Sequence, residues 1–223
     1  MTNLEVIVFD VNETLSDLAP LAQRFTDIGA PEWLAKLWFA SLLRDGFART
    51  ATGSSERFAT IAAGVLPGML TGIPINRSTA DAVEHVMAGF AALQVHPDVP
   101  DGVRALKSQG LRLVTLTNGS TDMTERLLAD AGIHDQFDLL LSVEQAGVWK
   151  PAPAAYEHAA HTYGVATEAM MLVAVHPWDI DGAARAGTST AWLNREGTLY
   201  PNYFRDPDLT ADSLTTLTEQ LAT

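Results

Sequence analysis

The sequence predicts an α/β protein: a doubly wound, parallel five-stranded sheet of Rossmann type with a helical segment inserted near its start. Three observations carry this. Val6-Ile7-Val8-Phe9 is an unbroken apolar run with no polar alternation, the pattern of a strand buried on both faces, and it ends abruptly at Asp10. Comparable runs return only in the second half of the chain, each separated from the next by a helical pattern. Between the first run and those later ones the spacing is helical throughout.

After the first strand, Leu34, Leu37, Trp38 and Leu42 fall at helical spacing, as do Val83, Met87, Phe90 and Leu93. Gly53-Ser54-Ser55 suits a helix start and Leu66-Pro67-Gly68 a helix break, so 16–92 reads as an insertion of about four helices. This gives a core of 1–15 plus 93–223 and a cap of 16–92. From His96-Pro97 onward the expected order is helix 101–108, strand 111–116, helix 123–131, strand 137–142, helix 154–163, strand 171–175 and strand 190–193. The segment 200–207, rich in aromatics, Pro and Asp, is expected to fold over the core or to meet a second subunit, which leaves a homodimer open.

Composition narrows the function classes. Hydrophobic residues are 47% and charged residues 18% of 223, enough apolar material for one sizeable core and no signature of disorder. There is no cysteine, which excludes disulfides, thiolate catalysis and Cys-ligated metal, and is compatible with a reducing cytoplasm. The N-terminus lacks a basic region and meets Asp10 too early for a signal peptide, and nothing approaches the length of a membrane span. With 14 Lys and Arg against 27 Asp and Glu, the net charge of −13 repels nucleic acid and anionic membrane surfaces alike. The same field opposes a small anionic substrate, so an acid-binding site needs a local cation, and Lys150 is the candidate.

In an open α/β sheet, ligands collect at the carboxyl ends of the strands. Four polar groups fall there: Asp10 in Phe9-Asp10-Val11-Asn12-Glu13-Thr14, Thr117 in Leu116-Thr117-Asn118-Gly119-Ser120, Lys150 in Trp149-Lys150-Pro151, and Asp179 in Val175-His176-Pro177-Trp178-Asp179. A carboxylate is a usable nucleophile when it is ionised, oriented and shielded, and a neighbouring Lys150 favours the ionised form. Thr14 can turn its hydroxyl back toward Asp10. Plainer readings exist for each: a capped turn at Thr14, a common turn pair at Asn118-Gly119, a surface lysine before proline.

In order and spacing these four segments resemble the four motifs of the haloacid dehalogenase superfamily. Asn118-Gly119-Ser120, Lys150-Pro151 with Tyr156 beyond it, and Trp178-Asp179 are most similar to the L-2-haloacid dehalogenase branch. The resemblance implies that Asp10 attacks the halogen-bearing carbon of a 2-haloalkanoate, and that water then cleaves the aspartyl ester to give a 2-hydroxy acid. Asp179 with Lys150 would activate that water, Asn118 would lie near the halide, and Ser120 or nearby amides would bind the substrate carboxylate. Tyr156 would orient Lys150 or line the pocket. No cofactor or metal is implied, and the partner is a small organic acid.

The same superfamily holds phosphatases, which resemble one another in a second Asp two residues after the nucleophile and an acidic pair in the last loop. Here those positions hold Asn12, which cannot protonate a leaving alkoxide, and Val175, which cannot ligate a hard cation. The chain also departs from the dehalogenase branch. Phe39 stands where that branch has arginine, with Arg44 and Arg49 five and ten residues further, and Ala174 and His176 replace a Ser and an Asn. His176 suits water positioning or anion binding, and equally a structural hydrogen bond. The alternatives are a phosphatase or hydrolase of another small substrate, or a binding protein without turnover.

Overall fold

A computed structural model describes residues 4–222. Strand β1 (Val6–Phe9) is followed by four helices, α1 (Leu21–Asp27), α2 (Leu34–Ala51), α3 (Phe58–Leu70) and α4 (Thr79–Ala91). The chain then alternates through α5 (Val99–Ser108), β2 (Arg112–Thr117), α6 (Thr121–Asp130), β3 (Leu139–Ser142), α7 (Val143–Ala146), α8 (Pro153–Tyr163), β4 (Met170–Ala174), α9 (Pro177–Arg185) and β5 (Ser189–Leu193). A short strand β6 (Leu209–Ala211) and helix α10 (Leu214–Leu221) close the order. The strands form one sheet in the order β3-β2-β1-β4-β5-β6, parallel at every pairing.

The sheet therefore has six strands, not five. β6 is only three residues long and carries Thr210 at its centre, so it offers no apolar run to a sequence reading. Asp208 just before it supplies the anchor, accepting from the amide and hydroxyl of Thr190 on β5. Two helix punctuation marks also differ from expectation. α3 starts at Phe58 rather than near Gly53, and Pro67 lies inside it rather than ending it.

Alternation along each strand sorts side chains onto two faces. Val6 and Val8 of β1 join Val114, Leu116 and Leu172 on the face covered by α8 and α9, where the apolar layer continues into Trp38, Phe58 and Phe90 of the inserted helices. Ile7 and Phe9 join Leu113, Met171 and Val173 under α5, α6 and α10. Burial on both faces is what the polar-free strand sequences require. β1 sits centrally, between β2 and β4, and strand order reverses on either side of it. Asp10, one residue past β1, thus stands at the topological switch point.

Trp149 fastens the inserted helices to the core. Its backbone amide donates to Thr50 Oγ1 of α2, its indole N–H donates to the Glu56 carbonyl, and its ring stacks on Phe58 of α3 at 5.7 Å. Gly46 makes this approach feasible, because a Cβ there would overlap the indole.

Candidate active site

The β1–α1 turn positions the nucleophile candidate. The Asp10 amide continues the parallel ladder onto the Val173 carbonyl of β4, fixing the backbone at the strand end. Glu13 takes a left-handed conformation, φ 62°, uncommon for a residue with a side chain. Its carbonyl lies 2.9 Å from His96 Nε2, which helps to hold the turn. That turn brings Thr14 back over the strand end: its hydroxyl donates to Asp10 Oδ2 at 2.6 Å and accepts from the Val175 amide at 3.1 Å. Arg195 Nη2 donates to the Thr14 carbonyl, while Nη1 lies 2.8 Å from Asp98.

Lys150 enters from the loop before α8. Asn118, at the end of β2, clamps its main chain: the Lys150 amide donates to Asn118 Oδ1 at 2.9 Å, and Asn118 Nδ2 donates to the Lys150 carbonyl at 3.3 Å. The fully buried ammonium then donates to Asp10 Oδ1 at 2.8 Å and to Asp179 Oδ2 at 2.6 Å. Asp179, in the first turn of α9, also accepts from Tyr156 Oη at 2.5 Å. Gly182 allows this close packing, since a Cβ there would lie 2.7 Å from the tyrosine oxygen. Three of the expected residues, Asp10, Lys150 and Asp179, thus form one buried chain of charges with Thr14 and Tyr156 at its ends. Tyr156 reaches Asp179 and not Lys150, because α8 and α9 pack side by side and present the two residues to each other.

The two carboxylates are in different electrostatic positions. Burial works to raise the Asp10 carboxyl, and Lys150, His176 and the Thr14 hydrogen bond outweigh it, leaving Asp10 below the ordinary aspartate value. For Asp179 burial prevails over Lys150, with the Asp10 charge adding to it, and its carboxyl is raised. Burial opposes the Lys150 charge too, but the two aspartates hold the ammonium above its ordinary value. Burial and the Asp179 charge push the Tyr156 phenol well up, so it remains a donor. Two carboxylates driven apart around one cation is the arrangement that separates a nucleophile from a base.

The other expected residues are less directly placed. Thr117 Oγ1 accepts from the Gly119 amide at 2.9 Å, and Ser120 Oγ caps α6 by accepting from the Met123 amide. Both line a small cavity of about 30 Å³ with Asn12 and Gly119. His176 lies on the other side. Its Nε2 is 3.2 Å from the Asn12 carbonyl and 3.7 Å from both Asp10 Oδ2 and Glu13 Oε2. Its ring stacks with Trp178 at 4.9 Å and with Phe39 at 6.2 Å. Phe39 is buried, and Arg44 further along α2 pairs with Asp45 at the surface, so it brings no cation to this place.

Beyond Phe39 and His176 opens a cavity of about 780 Å³ between α1, α2 and the loop after β5. Glu13, His96, Trp149 and Arg195 escape a sequence reading of this site. Glu13 is visible only through its backbone conformation, and Arg195 lies far along the chain with no motif around it. Trp149 adjoins the Lys150-Pro151 motif, which is the one signal that could have drawn attention to it.

The haloacid dehalogenase-like hydrolase family model matches residues 4–187. Haloacetate dehalogenase H-2 of Moraxella sp. (strain B) is 27% identical across all of both chains. The (S)-2-haloacid dehalogenase of Pseudomonas sp. (strain YL) is 30% identical over all of this chain and 97% of its own. A crystal structure of a dehalogenase with an intermediate complex superposes with a TM-score of 0.92 at 26% identity, covering 100% of this chain and 99% of that one. With the strand-end aspartate, the buried lysine and the acidic loop all in one cluster, these matches make the chain a member of the haloacid dehalogenase-like hydrolases.

Proposed function

We propose that the protein is a hydrolase of the (S)-2-haloacid dehalogenase type, converting a 2-haloalkanoate to a 2-hydroxy acid through an ester on Asp10. The observation that carries this is the buried Asp10–Lys150–Asp179 chain, in which one carboxyl is lowered and the other raised. The names of the relatives, (S)-2-haloacid dehalogenase and haloacetate dehalogenase, support the same chemistry.

In the first step an Asp10 oxygen forms a bond to C2 of the substrate as the carbon–halogen bond breaks, and the halide leaves with the electron pair. No proton is needed. In the second step water attacks the Asp10 acyl carbon and passes a proton to Asp179, whose raised carboxyl suits a base. The tetrahedral intermediate then collapses, the bond between the acyl carbon and the substrate oxygen breaking as Asp179 returns its proton to the departing alkoxide, which releases the 2-hydroxy acid and restores both carboxylates. Lys150 and Thr14 balance the charge that develops on the Asp10 oxygens, and Tyr156 holds Asp179 in place. In this reading Thr117 and Asn118 shape the β2 end, with Asn118 near the leaving halide. Ser120 and neighbouring amides take the substrate carboxylate at the start of α6, where a helix favours anions. His176 and Phe39 form the opposite wall.

The same reading treats 16–92 as a cap over a core of 1–15 and 93–223, and places the enzyme in the cytoplasm as a homodimer. The exposed Trp33, Leu37, Leu199 and Tyr203 support pairing, and the absence of cysteine suits a reducing compartment. Ion-selective measurement of chloride or bromide released from 2-haloacids by EDTA-treated protein is the test. Halide release equal with and without Mg²⁺ is expected, and Mg²⁺-dependent phosphate release from p-nitrophenyl phosphate without any halide release would overturn it.

A further inference from the structure

The cavity beyond His176 has a composition that bears on what the site accepts. At about 780 Å³ it falls in the range of roughly 300–1,000 Å³ that encloses drug-sized ligands, and it is far larger than a haloacetate needs. It is one side chain from the nucleophile: His176 lines it, and His176 Nε2 lies 3.7 Å from Asp10 Oδ2. Its walls are largely apolar, with Leu18, Leu21, Trp33, Phe39, Leu43 and Trp192 contributing.

Its charges are unsuited to an anion. Glu13, Asp17, Glu32 and Glu196 all line it. Among the described residues its lysine and arginine are both engaged, Lys36 with Glu196 at 3.2 Å and Arg195 with Asp98 at 2.8 Å. Burial, with Arg195 nearby, lowers His96 and favours its neutral form. A substrate carboxylate turned this way would meet Glu13, Asp17 and Glu32 and no uncommitted lysine or arginine, so the uncharged end of the molecule faces the cavity.

We infer that the substrate is a 2-haloacid bearing a bulky, uncharged organic substituent, an aryl-alkyl or long alkyl group, which lies in the cavity between α1, α2 and the loop after β5. This rests on the dehalogenase reading above. The position of Phe39 fits it: its ring lines the cavity and stacks on His176 at 6.2 Å, so the wall beside His176 is apolar where a cation would have favoured an anion.

The experiment compares bromide release from 2-bromopropionate, 2-bromohexanoate and 2-bromo-3-phenylpropionate. kcat/KM is expected to rise along the series, by at least about tenfold from first to last, the gain that burying an aromatic group supplies. Ala40 faces the cavity from α2, and Ala40→Trp should lower the ratio of phenyl to propionate turnover by about tenfold by filling the space. Ala22→Phe on α1 provides a second filling variant should the first unfold. Flat or falling kcat/KM with size, or an unchanged ratio in a folded variant, overturns the inference. Thermal shifts with the unreactive acids propionate and 3-phenylpropionate separate the two levels of the reading. Greater stabilisation by 3-phenylpropionate with no bromide from any substrate would keep the cavity assignment and reject the dehalogenase chemistry. Equal shifts from the two acids would reject the cavity assignment itself.

Discussion

Asp10, Lys150 and Asp179 carry one positive and two negative charges in a buried cluster, and that imbalance is the energetic feature of the site. Asp10 stabilises the fold: with its carboxyl lowered, its contribution is present above the ordinary value of 3.8 and is lost as pH falls through the lower folded value. Asp179 runs the other way. Its raised carboxyl favours folding below 3.8, and this is lost as pH climbs through the folded value, so near neutrality its charge weighs against stability. Asp179→Asn should therefore abolish turnover yet leave Tm at pH 7 equal to or a few degrees above wild type, since about 1 kcal/mol shifts Tm by about 2–4 °C in a chain of this size. Below pH 3.8 that advantage should vanish, and scanning calorimetry across pH checks both. A drop in Tm at pH 7 would mean that Lys150 requires both partners. The rate should follow the same carboxyl: kcat is expected to fall on the acid side as Asp179 takes a proton, at a pH above the ordinary aspartate value, with Asp10 still ionised. A pH profile of halide release with its acid limb below 3.8 would contradict that assignment.

At the scale of elements, glycines in the inserted helices separate contact from open surface. Gly46 of α2 abuts Trp149, whereas a side chain on Gly64 of α3 would point into open space. Gly64→Ala should stabilise by about 0.5–1 kcal/mol through helix propensity alone. Gly46→Ala should instead lower Tm, because overpacking against a rigid indole backed by Phe58 costs about 1–3 kcal/mol. It should also depress kcat, since Trp149 precedes Lys150. Equal effects from the two variants would show that the contact between α2 and Trp149 is not tight. Legibility in the sequence followed the strength of local pattern. β1 is plain because Val6 to Phe9 are apolar without interruption, and Asp10 is legible because it ends that run, whereas Lys150 and Asp179 follow no such run directly and are singled out only by the resemblance of their segments to the family motifs. β6 is not legible, since three residues with a central threonine carry no periodicity, and its place depends on Asp208 bonding Thr190. Pro67 looked like a helix end but is accommodated within α3. The sequence expects Tyr156 to orient Lys150 or line the pocket, and its hydroxyl bonds Asp179 instead of Lys150 because the packing of α8 against α9 is a tertiary fact.

For the molecule as a whole, a net charge of −13 surrounds a site that must admit an organic acid. Raising ionic strength from about 10 to about 150 mM with sodium sulfate shortens the Debye length from about 30 to about 8 Å, so kcat/KM for a 2-haloacid should rise roughly twofold. An uncharged 2-haloamide should show no such gain, and equal responses would indicate that the field of the whole protein does not govern entry. The central claim concerns Asp10, held by Lys150 and Thr14 at the switch point of the sheet. Asp10→Asn should cost several orders of magnitude in turnover with the fold retained. The most direct measurement is a single turnover of a 2-haloacid in H₂¹⁸O with protein in excess, followed by mass spectrometry of the peptide containing Asp10. An ester on Asp10 cleaved at its acyl carbon predicts ¹⁸O in the Asp10 carboxylate and none in the first 2-hydroxy acid released. Label in the product and none in Asp10 would mean that water attacks C2 directly, and would contradict the account.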